Sequence, residues 1–102
     1  LVTFGEVMMR LSPPGPARFG QNATLHTAYG GTEANVAVGL ARLGVATRHV
    51  TAFPDHALGR AGAAYLASQG VDTRYVQFGA GRLGLYFSEN GSGPRAGTII
   101  YD

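Results

Sequence analysis

Two segments with helical spacing, each preceded by a short β-rich run and followed by a glycine, constrain the fold of this chain most. Apolar residues recur at helical spacing over residues 34–43, and Gly44 stands where a helix commonly ends. Residues 57–67 repeat the pattern, with Asp55 placed to cap the helix and Gly70 to close it. The alternation predicts an α/β layered fold on a mostly parallel sheet.

The predicted strands divide into two groups. The group that fits the alternation is at residues 1–4, with 7–11 as its continuation, 47–53 and 75–78. Three further strands do not fit it and predict a second, smaller sheet; they are at residues 25–29, 84–89 and 97–101.

Charge and cysteine content exclude several classes of function. The net charge is only +2 and is carried by eight arginines spread singly along the chain, without a basic run. A nucleic-acid partner is therefore not expected. The chain has no cysteine, which excludes disulfides, thiolate metal sites and cysteine nucleophiles. Its three histidines share no spacing with one another, and we expect no metal site.

Hydropathy and the chain ends predict the setting of the protein. No apolar run approaches the length of a membrane span, so we expect no membrane partner and a cytoplasmic location. The chain begins without Met and stops in the β-rich run IIYD. Both ends predict that these 102 residues are a piece of a longer protein.

The segment Gly30-Gly31-Thr32-Glu33-Ala34-Asn35 is the strongest candidate for a binding site. Its paired glycines allow a ligand to approach the backbone closely, and the helix that follows offers free N–H groups. A glycine pair alone would indicate only a strand-to-helix turn, but Asn35 adds an amide that both donates and accepts hydrogen bonds. The chain has no GxxxxGK[ST] run, and the GxGxxG fingerprint is missing from the first βα turn, so the predicted guest is a polar small molecule and the segment is not a nucleotide phosphate loop.

Other polar residues carry weaker signals. Tyr86 and Tyr101 lie in the strands of the second group, and spacing alone assigns them to ordinary sheet aromatics. Arg10 and Glu6 are single charges, and such charges are commonly solvated surface groups.

Four segments together resemble the ribokinase-like (PfkB) carbohydrate kinases. They are TFGEVMMRLSPPG at 3–15, GGTEANVAVGLARLG at 30–44, PDHALG at 54–59 and QGVDT at 69–73. Glu33 departs from the small residue usual in ribokinases. Together with GLYFSENG at 84–91, it makes the chain most similar to the 2-keto-3-deoxygluconate kinases of this family.

The resemblance implies a three-layer core with a mostly parallel sheet and a small β-sheet lid, of which residues 1–102 are the N-terminal part. The three strands of the smaller sheet would belong to the lid, and the sugar would lie between core and lid. Substrate contacts would come from Gly30, Gly31, Asn35, Tyr86 and Tyr101.

Arg10 is a further candidate for substrate binding. It stands where many relatives have an aspartate, and an arginine there would favour an acidic substrate.

The activity implied is transfer of the ATP γ-phosphate to 2-keto-3-deoxygluconate, a small sugar acid. ATP, Mg²⁺ and the catalytic aspartate would be held by the missing C-terminal part, and Asp102 is no substitute because it ends a lid strand. This chain alone would be inactive.

Two alternatives stay open at this stage. One is another ribokinase-like kinase such as a fructokinase, against which Glu33 and the GLYF segment speak. The other is a non-catalytic sugar-binding or dimerisation module, if the chain ends at Asp102. Lid sheets of such kinases commonly pair between subunits, so we expect a homo-oligomer formed through the lid.

Overall fold

The computed structural model describes residues 1–21, 24–91 and 97–102, which form two helices and eight strands. The helices are α1 (Thr32–Arg42) and α2 (Ala57–Ser68). The strands are β1 (Val2–Phe4), β2 (Met8–Ser12), β3 (His26–Gly30), β4 (Arg48–Val50), β5 (Ala52–Pro54), β6 (Gln77–Gly79), β7 (Leu85–Glu89) and β8 (Thr98–Tyr101). Gly44 and Gly70, with φ of 90° and 88°, follow the two helices as the sequence predicts.

A parallel layer contains β1, β4, β5 and β6. Strand β1 pairs with β4 and strand β5 with β6, both in parallel. The single strand predicted at residues 47–53 is therefore two strands, because the chain changes its pairing partner at Thr51. The Thr51 carbonyl accepts a hydrogen bond from the Gln77 amide at 3.0 Å. Parallel strands alternating with helices confirm the predicted α/β class.

The remaining strands form a separate four-stranded sheet in the order β3-β2-β7-β8. The β2 and β7 strands are parallel, and the two outer pairs are antiparallel. The prediction that residues 7–11 continue the first strand is wrong. After β1 the chain turns away through residues 5–7, which we call the crossing segment, and β2 becomes an inner strand of the second sheet.

Both helices lie on one face of the parallel layer. Helix α1 packs on β1 and β4, helix α2 packs on β5, and the Thr47 hydroxyl donates to the Ala37 carbonyl at 3.2 Å. On the opposite face Phe4 is 75% exposed. The buried apolar core consists of Val7, Met9, Ala34, Ala37, Phe53, Leu66, Val71 and Leu83.

The start of α2 corrects one prediction. His56, not Asp55, is the N-cap residue, and its Nδ1 accepts a hydrogen bond from the Gly59 amide at 3.3 Å. The Asp55 carboxylate instead accepts a hydrogen bond from the Arg60 guanidinium at 2.8 Å. Since that guanidinium engages Asp55, the imidazole one residue later serves as the cap. Neither helix in the described part of the chain is long and apolar enough to cross a membrane.

Candidate substrate site

The start of α1 is open. Gly31 is its N-cap residue, has an extended backbone with φ of 174° and provides no side-chain hydrogen bond. In the first helical hydrogen bond, the backbone N–H of Asn35 donates to the Gly31 carbonyl at 2.8 Å. The N–H groups of the first turn therefore lack a side-chain cap, and they carry the positive end of the helix dipole.

Close packing explains why residue 31 is a glycine. A Cβ at this position would overlap the carbonyl oxygen of Glu6 in the crossing segment. This neighbour is backbone, so it cannot move aside by changing a rotamer. The absence of a side chain at Gly31 thus lets the start of α1 rest directly on the segment that leads from the core into the second sheet.

Two polar side chains converge on Gly30, the last residue of β3. A Cβ placed on Gly30 would lie 2.9 Å from the Tyr86 hydroxyl oxygen and 3.5 Å from Oδ1 of Asn35. The phenol of β7 and the amide of α1 thus meet over one glycine, although they are far apart in sequence. A hydroxyl, an amide and the open helix start can together donate and accept several hydrogen bonds.

Strand register brings the other candidates into one row. Arg10 on β2 lies opposite Ala28 on β3 and opposite Tyr86 on β7, and Tyr86 lies opposite Tyr101 on β8. Residues directly opposite each other project from the same face of a sheet. The two tyrosine rings are 5.8 Å apart between centroids and inclined by 30°. The arginine and both tyrosines therefore share one face.

This face is the one that the core leaves free. The alternate residues Met9, Leu11, Tyr29 and Leu85 point the other way and join or pack against the hydrophobic core. Met8 lies opposite Gly30 and two residues before Arg10, so it belongs to the free face. Sequence reasoning missed Met8 as a member of this surface, although its position two residues from Arg10 on one strand was a usable signal. We call this surface the substrate face: the row of Arg10, Tyr86 and Tyr101, with Met8 and Gly30.

Two carboxylates border the substrate face at the crossing segment. A Cβ on Gly84 would lie 2.7 Å from Oε2 of Glu6, and one on Gly5 would lie 2.8 Å from Oε1 of Glu33. Glu33 lies in the first turn of α1, where an acidic side chain interacts favourably with the helix dipole. Glu6 was interpreted from sequence as a surface charge. Its closeness to Gly84 is a long-range contact for which the sequence carries no signal.

A buried histidine holds the crossing segment. His49 is fully buried, with Nδ1 2.7 Å from the Thr3 hydroxyl and Nε2 3.0 Å from the Gly5 carbonyl. Because a carbonyl can only accept, Nε2 carries the proton and donates to Gly5. The imidazole therefore fixes the point where the chain leaves β1, next to Glu6 and Gly31.

The described residues include no group of three or more His, Asp or Glu side chains that could hold a metal ion. Asp102, which the sequence argument set aside as a catalytic base, pairs with Arg82 at the edge of the sheet. An open pocket of about 460 Å³ adjoins the crossing segment, and its lining includes Phe4, Gly5 and Glu6. It includes none of the residues of the substrate face.

The chain matches a protein-family model over residues 1–102, that of the pfkB family carbohydrate kinases. It is 42% identical over 103 residues to 2-dehydro-3-deoxygalactonokinase of Haloferax volcanii, covering 100% of this chain and 32% of that protein.

Solved structures agree with the family match. The 2-dehydro-3-deoxygluconokinase of Thermotoga maritima superposes with a TM-score of 0.95 at 46% identity, over 99% of this chain and 31% of that one. A PfkB family carbohydrate kinase of Listeria grayi gives a TM-score of 0.94 at 40% identity, over 99% and 32%. These likenesses confirm the predicted ribokinase-like fold class as a partial α/β domain. The chain spans about a third of the length of these relatives.

Proposed function

The chain belongs to the pfkB family of carbohydrate kinases, and on that premise we propose that it forms the sugar-binding N-terminal part of an ATP-dependent sugar kinase. One observation carries the proposal beyond family membership. The Tyr86 hydroxyl and the Asn35 amide converge on Gly30 at the uncapped start of α1. Such a cluster of donors and acceptors suits a ligand rich in hydroxyl groups.

The substrate we propose is 2-keto-3-deoxygluconate, bound between α1 and the four-stranded sheet acting as a lid. Two similar proteins are named for this sugar acid or its galactonate counterpart, which differs in configuration at one carbon. In the proposed complex Gly30, Gly31 and Asn35 bind the sugar from the helix side. Tyr86 and Tyr101 bind it from the lid.

In the proposed reaction a hydroxyl oxygen of the bound sugar forms a bond to the γ-phosphorus of ATP, the bond between the β- and γ-phosphates breaks with ADP as the leaving group, and a general base takes the hydroxyl proton. Bound Mg²⁺ would neutralise charge on the phosphates. The residues of this chain orient the sugar. We assign the ATP site, the Mg²⁺ site and the general base to sequence outside residues 1–102, because the relatives are about three times as long. Because ATP is the proposed phosphoryl donor, we also propose a cytoplasmic location.

For the decisive experiment, the complete reading frame that contains residues 1–102 is expressed. We call its product the full-length protein. ATP consumption is measured with 2-keto-3-deoxygluconate, its galactonate epimer, fructose and ribose. We expect turnover with one or both sugar acids and little with the neutral sugars. The 102-residue chain alone, as a control, should consume no ATP.

The outcomes separate the parts of the proposal. Preference for fructose or ribose would overturn the proposed substrate but would still support the proposed kinase activity. Absence of ATP consumption with every sugar would contradict the proposed kinase activity and favour a non-catalytic binding module.

We further propose that the protein associates with a second copy through the four-stranded sheet. Strands β3 and β8 are the edges of this sheet in the described residues, and all of β8 is exposed, with Ile99 at 56% and Tyr101 at 66%. Exposed edge strands readily pair with other strands. Light scattering on the full-length protein should give a mass above that of one chain, and a monomer would contradict the association.

A further inference from the structure

His49 is a fully buried polar side chain for which the proposed sugar contacts give no role. It lies opposite Thr3 in the register of β1 and β4, and the next pair in that register is Phe4 with Val50. Side chains of consecutive strand residues point to opposite faces of a sheet. Because Phe4 lies on the face opposite the helices, Thr3 and His49 both point toward α1, the helix that carries the proposed sugar contacts.

Two hydrogen bonds fix the orientation of the imidazole. Its Nε2 donates to the Gly5 carbonyl at 3.0 Å, which leaves Nδ1 to accept from the Thr3 hydroxyl at 2.7 Å. A second acceptor for that hydroxyl, the Arg48 carbonyl, is farther away at 3.5 Å. Rotation of the ring would leave a buried nitrogen unpaired, which is costly. His49 is therefore a rigid donor aimed at one carbonyl.

The carbonyl that His49 holds comes directly before the carbonyl on which α1 rests. The Gly5 N–H donates to the Val50 carbonyl at 3.3 Å, so both polar backbone groups of Gly5 are fixed. The next carbonyl, that of Glu6, is the group that a Cβ on Gly31 would overlap. Gly5 has no side chain to limit its backbone rotation. The imidazole supplies that restraint, one peptide group before the contact with Gly31.

A displacement of Gly5 would reach α1 by a second contact as well. A Cβ on Gly5 would lie 2.8 Å from Oε1 of Glu33, in the first turn of α1. The crossing segment also leads directly into β2, which pairs with β7. Its position therefore sets the start of α1 relative to the four-stranded sheet, and with it the distance between Asn35 and Tyr86.

We propose that His49 is a positioning residue for the proposed sugar site. Through the Gly5 carbonyl it holds the crossing segment where the open start of α1 and the Tyr86 hydroxyl reach one ligand, and it does not touch the sugar. The inference rests on the proposed function, because it concerns the same site. Loss of the hydrogen bond to Gly5 should weaken sugar binding and spare the phosphoryl-transfer step, which we assign to sequence outside residues 1–102.

The test compares His49→Phe with Thr3→Val in the full-length protein. His49→Phe keeps a planar ring and removes both hydrogen bonds, and it should raise KM for 2-keto-3-deoxygluconate about fivefold to tenfold. Its kcat should change less than about twofold. Thr3→Val removes only the bond to Nδ1, so Nε2 still donates to Gly5. We expect it to lower Tm by about 2–4 °C and to leave KM unchanged.

Two further variants separate positioning from stability. The side-chain N–H of glutamine is as many bonds from Cβ as Nε2 of histidine, so His49→Gln keeps a donor for Gly5 and should raise KM less than about twofold. Thr47→Val removes a buried hydroxyl that donates to the Ala37 carbonyl, in the middle of α1, at 3.2 Å. It should lower Tm as Thr3→Val does, without changing KM.

A measurement on the wild type decides if His49→Phe does not fold. In full-length protein labelled with [¹⁵N]histidine, NMR reports the Nε2 proton of His49, and its signal is identified by its loss in His49→Gln. Saturating 2-keto-3-deoxygluconate should slow the exchange of this proton with water at least about threefold, because bound sugar holds α1 on the crossing segment.

The outcomes distinguish this inference from the proposed function. If the wild type turns over no sugar, the proposed function is contradicted and this inference with it. If it turns over a neutral sugar instead, the proposed substrate is wrong, and the same KM pattern is expected with that sugar. A KM of His49→Phe equal to that of the wild type, an equal rise in Thr47→Val, or an Nε2 proton whose exchange ignores the sugar would each show that His49 only stabilises the fold.

Discussion

The two helices of the described chain begin in similar surroundings, but a side chain caps the start of α2 and none caps the start of α1. At each start a glycine presses against a backbone carbonyl, Gly31 against that of Glu6 and Gly59 against that of Pro54. Helix α2 then closes itself, because the His56 imidazole accepts the Gly59 N–H. Helix α1 has no side-chain cap, and exposed Asn35 stands on its first turn.

The difference separates a stabilising role from a binding role. A capped start satisfies one N–H group that the helix cannot satisfy itself, whereas an uncapped start leaves such groups to water or to a ligand. The surroundings follow the same division. Arg60 near the start of α2 pairs with Asp55 and covers the Phe78 ring at 3.7 Å, while α1 faces the open substrate face.

The largest effects are expected when each close contact is broken. Gly31→Ala and Gly59→Ala both force a Cβ against backbone, and each should lower the free energy of unfolding by about 1–3 kcal/mol. Only Gly31→Ala should also weaken sugar binding strongly, because it displaces the start of α1 from the crossing segment. Urea denaturation and sugar titration of the full-length protein measure the two quantities.

A third glycine provides the matched control. A Cβ on Gly39, within α1, meets no atom within 4 Å. Gly39→Ala should therefore raise the free energy of unfolding by about 0.5–1 kcal/mol and leave the sugar affinity unchanged. Equal loss of sugar affinity in Gly31→Ala and Gly59→Ala would contradict the division of roles.

Smaller effects, opposite in sign for stability, should follow when the polar side chains at the two helix starts are replaced by alanine. His56→Ala removes a cap and should cost about 1 kcal/mol of stability without changing KM for the sugar. Asn35→Ala should raise stability by a few tenths of a kcal/mol, about the difference in helix propensity. It should raise KM about three- to tenfold through one or two lost hydrogen bonds. Thermal melts and steady-state kinetics test both variants.

If the two helix starts differ in role, His56→Ala lowers stability and leaves KM unchanged, whereas Asn35→Ala raises KM and does not lower stability. If His56→Ala raised KM as much as Asn35→Ala, the two starts would not differ in role. If Asn35→Ala destabilised the protein, its amide would be a structural group.

Much of the fold could be predicted because local signals agree with it. Helical spacing and the glycines at 44 and 70 predict both helices and their ends, and β-branched runs predict most strands. The error at Asp55 arose because two adjacent residues can both cap, and the choice depends on Arg60, which pairs with the carboxylate. Sequence alone does not rank such competing contacts.

The arrangement of the candidate site was less predictable. Gly30 and Asn35 are neighbours in sequence, but the row of Arg10, Tyr86 and Tyr101 depends on strand register between segments far apart in the chain. The parallel pairing of β2 with β7 breaks the local pattern that suggested a continuation of β1. Long-range pairing of this kind leaves no periodicity in the sequence, and for that reason the sequence does not predict Glu6 beside the site.

The last effect concerns Tyr29, which connects the two helix starts. It precedes Gly30, stacks on Tyr65, and donates its hydroxyl hydrogen to the Leu58 carbonyl in the first turn of α2 at 2.8 Å. Tyr29→Phe should lower the free energy of unfolding by about 0.5–1.5 kcal/mol at neutral pH through this lost hydrogen bond. Exposure of the bond to solvent favours the lower end of that range.

The pH dependence of this difference is the sharper test. Partial burial removes some water from the Tyr29 hydroxyl and raises its pKa above that of an ordinary phenol, so the folded state holds the proton more tightly than the unfolded state. The stability from this group is complete below about pH 10 and is lost as the pH rises through the folded-state pKa. The gap between wild type and Tyr29→Phe should therefore narrow above about pH 10 in urea denaturation. A gap that stays constant with pH would mean that the Tyr29 hydroxyl is solvated in the folded protein and does not connect the two helix starts.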